Sequence, residues 1–125
     1  MKAVLLSIKP EFAHKIFDGT KKYEFRKKVF KDENIRKVIV YSSSPEQKVI
    51  GEFEIDCILN GTPVEIWNRT KSESGVTLDF YNEYFENRNS VYAIKVASVL
   101  EYETQKNLSD YDIAFAPQSF AYVEV

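Results

Sequence analysis

The sequence has almost none of the residues from which metal centres and nucleophilic triads are built. Its 125 residues include one cysteine, Cys57, and one histidine, His14. A single cysteine has no intrachain disulfide partner. The pair also falls short of a Cys/His zinc site, which takes four such ligands, or three plus a water. A Ser-His-Asp or Cys-His arrangement would have to run through His14 alone, on a stretch that reads as a helix, so no triad is assigned. We expect Cys57 to be a buried small hydrophobe on an apolar strand. No apolar run nears the roughly 20 residues that span a bilayer. The apolar run within Met1–Pro10 stops at about five residues and a charged segment follows, so no secretory signal is read and a cytoplasmic location is expected. There is no Walker loop, no Gly-x-Gly-x-x-Gly and no His-Glu-x-x-His, and we expect no cofactor and no metal.

What is present suits one α+β domain over residues 1–125. The chain is 44% apolar and 14% aromatic, enough for its own core and too hydrophobic for disorder. The net charge of −2 is unevenly spread. Residues 1–50 hold twelve Lys/Arg against six Asp/Glu, and residues 51–125 hold five against thirteen. A basic half suits a phosphate-bearing partner. The acidic half argues against sequence-blind wrapping of duplex DNA.

Local patterns give an element order of β-α-β-β-β-α-α-β-β. Residues 3–8 read as a buried strand. Pro10 and Glu11 open a helix over 10–18, Phe12, Ala13, Ile16 and Phe17 form its apolar stripe, and Gly19 ends it. Over 22–28, Tyr23 and Phe25 face one way, Glu24 and Arg26 the other. Strands follow at 36–41 and 48–59. On the second, Gly51, Phe53, Ile55 and Cys57 share one face. Thr62-Pro63-Val64-Glu65 is a capping box that starts a helix. Thr77 caps another, with Leu78, Tyr81 and Phe85 on its inner side. Strands at 90–102 and 120–123 complete the chain. Strands joined by small helices suggest a mixed, mainly antiparallel, barrel-like sheet.

The stretch Gly19–Arg26 concentrates the chemistry. Glu24 and Arg26 share a strand face, and Lys21 lies at the turn before it. A carboxylate that holds a guanidinium and an ammonium in place makes a phosphate or carbonyl site. The same spacing also fits a surface row of ion pairs. Glu52, Glu54 and Asp56 form an acidic row, which fits either acid–base or magnesium chemistry or a solvated strand face. Trp67, the one tryptophan, fits either a base-stacking wall or the core.

Leu6-Ser7-Ile8-Lys9-Pro10, a short helix, then Gly19-Thr20-Lys21-Lys22-Tyr23-Glu24-Phe25-Arg26 resembles the ASCH domain. Its hallmark places glycine, lysine, glutamate and arginine as in Gly19, Lys21, Glu24 and Arg26. Gly51–Ile55, Pro63 with Ile66-Trp67, and Ala116–Phe120 with Tyr122 are similar to a small prokaryotic and phage group of that family. The resemblance implies a PUA-like β-barrel with short helices in its connections. It also implies a cleft lined by Lys21, Glu24 and Arg26, and an association with RNA binding and with transcription or translation control. By position, Tyr41 and Ser42 would form its rim, and Trp67 or Tyr122 could stack on a base. One branch hydrolyses the amide of N4-acetylcytidine with a lysine, a threonine three residues later and a distant glutamate. Lys21 matches that lysine, Glu24 replaces the threonine, and the distant position falls near Glu73 or Ser74. Other members are described as ribonucleases.

Three readings therefore stand. The first is a regulatory module binding single-stranded RNA or a modified nucleotide. The second is an amidohydrolase or ribonuclease with Lys21 and Glu24 as its catalytic residues. The third is a regulator acting through a protein partner.

Overall fold

A computed structural model describes all residues, Met1 to Val125. The strands are β1 (Lys2–Ile8), β2 (Tyr23–Arg26), β3 (Lys37–Ser42), β4 (Lys48–Gly61), β5 (Val91–Lys106) and β6 (Phe120–Glu124). The helices are α1 (Pro10–Asp18), α2 (Pro63–Thr70) and α3 (Leu78–Tyr84), with short 3-10 turns at Lys71–Glu73 and Leu108–Tyr111. No helix is long and apolar enough to cross a membrane.

The helices begin and end where local chemistry dictates. Pro10 occupies the first turn of α1, and Gly19 ends it with φ +86°, a left-handed conformation that favours glycine. Thr62 and Glu65 make both bonds of a capping box at α2. Thr77 accepts the Phe80 N–H at α3.

The six strands form one sheet in the order β2-β5-β4-β3-β1-β6. Only the β1–β3 pair, joined through α1 and β2, is parallel. The sheet is barrel-like but open, because β2 and β6 share no hydrogen-bond ladder. The first strand, β1, pairs with the last, β6, from Lys2 opposite Glu124 to Leu6 opposite Phe120.

Both faces of the sheet are covered around β1 and β3, whose side chains are apolar on both sides. Val4, Leu6 and Ile8 pack with Val38, Val40 and the α1 residues Ala13 and Ile16. Ala3 and Leu5 pack on the other face with Ile39, Tyr41 and Val123. A third cluster joins Tyr23 and Phe25 to Ile66 of α2 and to Tyr81 and Phe85. Leu78, expected on that inner side, stays 47% exposed at the first turn of α3.

Cys57 is exposed, contrary to the sequence expectation. The β4–β5 register shifts between Glu54 and Ile55 and again between Ile55 and Cys57. These irregularities break the two-residue alternation. Ile58 packs against the core instead. The same shifts set Asp56 apart from Glu52 and Glu54. Glu52 is held by Lys37 at 2.7 Å and by the Tyr102 hydroxyl, Asp56 lies 3.7 Å from Lys95, and Glu54 is exposed.

Candidate functional site

Arg26 is the last residue of β2, at one edge of the sheet, and its guanidinium reaches across to the other edge. Nη2 donates to the carbonyl of Ser119, just before β6, at 2.7 Å. Nη1 donates to the Ser7 carbonyl on β1 at 3.3 Å and to Glu24 Oε2 at 3.2 Å. Ser7 Oγ also donates to the Pro117 carbonyl at 2.9 Å. The planar fork suits this task, since it presents several donors in a fixed geometry. Alternation along β2 puts Glu24 beside Arg26, and the pair is nearly buried, with side chains 8% and 12% exposed.

Lys21 precedes β2 and is 2% exposed, a rare state for a lysine. Its Nζ donates to the Ser74 carbonyl at 3.0 Å and lies 4.6 Å from the centre of the Phe25 ring and 5.5 Å from that of Phe12. Burial pulls its pKa down to about 8; the Glu24 carboxylate opposes that shift, and the Lys15 ammonium adds to it. Lys21 therefore gives up its proton more readily than an ordinary lysine.

These groups lie on one cavity of about 440 Å³, within the range of small-ligand sites. Its polar side holds Ser7, Lys21, Glu24 and Arg26, and Phe12, Phe25, Phe80 and Tyr84 give it aromatic walls. The Phe80 and Tyr84 rings are nearly parallel, with centres 6.0 Å apart. Burial raises the Tyr84 phenol above its ordinary pKa, so it stays a hydrogen-bond donor. Two exposed cations stand at the edge: Lys27, 4.8 Å from the Tyr84 ring centre, and Lys9, 5.9 Å from that of Phe80. Glu83 and Gln118 also face the space.

Lys21, Glu24 and Arg26 thus converge as the spacing suggested. The other candidates lie elsewhere. Tyr41 is buried in the core cluster with Ala3 and Leu5, and Ser42 is fully buried beside Ile8 at the end of β3. Trp67 packs on Tyr81, with ring centres 4.8 Å apart, behind the cavity wall. Tyr122 stacks edge-on with Phe120, under the Lys2 ammonium. His14 is tied to Glu46 at 3.0 Å and does not line the cavity. Sequence reasoning missed Lys9, Lys27, Phe80 and Tyr84. The signal for the aromatic pair was present: Phe80 and Tyr84 are four apart on α3, on a second stripe beside Tyr81 and Phe85.

The ASCH domain family model matches residues 6–100. The large ribosomal subunit protein uL22 of Ureaplasma parvum is 27% identical over 121 residues, which is 97% of this chain and 39% of that protein. The ASCH domain-containing ribonuclease of Zymomonas mobilis is 31% identical over 85 residues, 68% of this chain and 57% of the relative. This chain therefore spans well under two-thirds of either relative. The crystal structure of ASCH from Zymomonas mobilis superposes with a TM-score of 0.88 at 25% identity, covering 98% of this chain and 87% of the other. Family match, fold and the Lys21–Arg26 stretch agree: the chain belongs to the ASCH domain family.

Proposed function

We propose that the chain is a single domain, residues 1–125, that binds single-stranded RNA as a regulatory module and takes one nucleotide into the cleft. The observation that carries this reading is the meeting of a buried lysine, a buried carboxylate and aromatic rings in one open cavity with exposed lysines at its edge. Phe80 and Tyr84 offer faces for a base, and such stacking tolerates any sequence. Lys9 and Lys27 meet the phosphates outside. Lys21 donates to a base or sugar oxygen inside, and Glu24 accepts from an amino or hydroxyl group. Arg26 has three of its five N–H donors engaged by Ser7, Glu24 and Ser119, so it builds the site and keeps two N–H groups for a ligand oxygen. Membership in the ASCH family and a relative named as a ribonuclease support an RNA ligand.

A labelled, unstructured RNA oligomer should bind at low salt and weaken steeply as salt rises. Absence of binding by RNA and by free nucleosides at low salt would falsify the reading.

The lowered Lys21 pKa favours a second reading, a hydrolase for RNA or for the amide of a modified nucleoside. A group poised near neutral pH is suited to proton transfer, with Lys21 polarising or deprotonating and Glu24 as general base. Turnover of short RNA or acetylated cytidine that vanishes in Lys21→Met would establish it; turnover that survives would remove it.

A further inference from the structure

Three consecutive carbonyls in the turn after α2 each accept from a different lysine. Glu73 O accepts the Lys22 backbone N–H at 2.9 Å, Ser74 O accepts Lys21 Nζ at 3.0 Å, and Gly75 O accepts Lys15 Nζ at 3.2 Å. The turn is itself locked. Ser74 is 2% exposed, and its Oγ donates to the Val76 carbonyl at 3.1 Å and accepts the Val76 N–H at 3.4 Å.

Gly75 is required here twice over. Its φ is +70°, and a β-carbon on it would sit 2.5 Å from Lys21 Cβ and 2.6 Å from Lys21 Cγ. The lysine stem therefore lies against the bare α-carbon of Gly75. The backbone of Lys21 is fixed as well, with its N–H bonded to the Lys15 carbonyl at 3.1 Å. Both ends of the side chain are thereby determined. One of the three ammonium protons goes to Ser74, which leaves two for the cavity.

We propose that the Glu73–Val76 turn is a positioning device for Lys21, with Ser74 and Gly75 its positioning residues. The turn aims the ammonium at the cleft floor and keeps it there without a ligand. Lys15, on the adjacent carbonyl, ties α1 to the same turn. The functional meaning of the device rests on the RNA-binding reading of the cleft; its geometry does not.

The test uses protein carrying isotope-labelled lysine. The Lys21 amine resonance is titrated in the wild type, Ser74→Ala and Gly75→Ala, and the affinity of each for one RNA oligomer is measured at fixed salt. In both variants the Lys21 midpoint should move by about half a pH unit or more toward that of an ordinary lysine. Affinity should fall about fivefold or more, as expected for a displaced contact group, with the far-ultraviolet dichroism kept. A purely structural turn would lower the melting temperature and leave the midpoint in place. An unchanged midpoint in a folded variant overturns the proposal, and Ser74→Ala decides if Gly75→Ala does not fold. A wild type that binds no RNA removes the RNA reading alone, since the titration still judges the turn.

Discussion

Arg26 Nη2 sits 2.7 Å from the Ser119 carbonyl oxygen and so joins the two edges of an open sheet that share no ladder. The cleft exists at this seam, with Glu24 and Ser7 fixing the same guanidinium.

Arg26→Lys should therefore be almost as damaging as Arg26→Ala. One ammonium cannot reproduce the fork that meets Ser7, Glu24 and Ser119 together. Arg26→Ala should lower unfolding stability by roughly 3 kcal/mol, because a nearly buried Glu24 is left without its partner, and Arg26→Lys should approach that cost through the carbonyls it leaves unmet. Urea denaturation measures the loss. In the Glu24→Gln background the cost of Arg26→Ala should shrink; equal costs in the two backgrounds would show that the pair is not coupled.

The contribution of Lys21 to stability should rise with pH in an unusual window. The folded pKa of Lys21, about 8, lies below its ordinary 10.5. Between those values the unfolded chain binds more protons, so the lysine's penalty is present in full below pH 8 and disappears as pH climbs toward about 10.5. Its size is roughly 3 kcal/mol at the usual 1.4 kcal/mol per pH unit. Lys21→Met should be more stable than wild type at pH 7 and should flatten this part of the profile. A variant with the same slope as wild type would contradict it.

Trp67→Ala and Tyr84→Ala should separate core from cleft. Trp67→Ala should cost about 3 kcal/mol of stability through its lost packing on Tyr81 and leave RNA affinity within about twofold. Tyr84→Ala should instead weaken RNA binding by about 1–3 kcal/mol through lost stacking. Paired melting and binding measurements decide it, and the reverse pattern would move the ligand to the tryptophan.

Lys9→Ala and Lys27→Ala should each reduce the salt dependence of RNA binding by about one phosphate contact. Neither forms an ion pair within the protein, and both are exposed, so stability should stay within about 0.5 kcal/mol. An unchanged salt slope in both variants would place the phosphate path elsewhere.

Features of local origin were readable from the chain. Pro10, Gly19, Thr62 with Glu65, and Thr77 act within a turn of themselves, and each sits at the expected helix end. The convergence of Lys21, Glu24 and Arg26 was also readable, because two of them share a strand face next to the third. Cys57 was not, since its direction is set by register shifts against β5, some forty residues away in sequence. Nor was the bracing role of Arg26. Two of its acceptors are the backbone carbonyls of Ser7 and Ser119, which no side-chain pattern marks.

The pairing of β1 with β6 also sets a timetable for biosynthesis. Strand β1 must wait for β6 to cover its edge, and Arg26 must wait for Ser119. While the ribosome works, helices and hairpins in between can form from near neighbours, but this long-range closure cannot. The cleft therefore comes into being only after Ser119 and β6 have been made. A chain cut before residue 119 would expose an unpaired strand edge, a template for aggregation, and would have no seam on which to assemble the cleft.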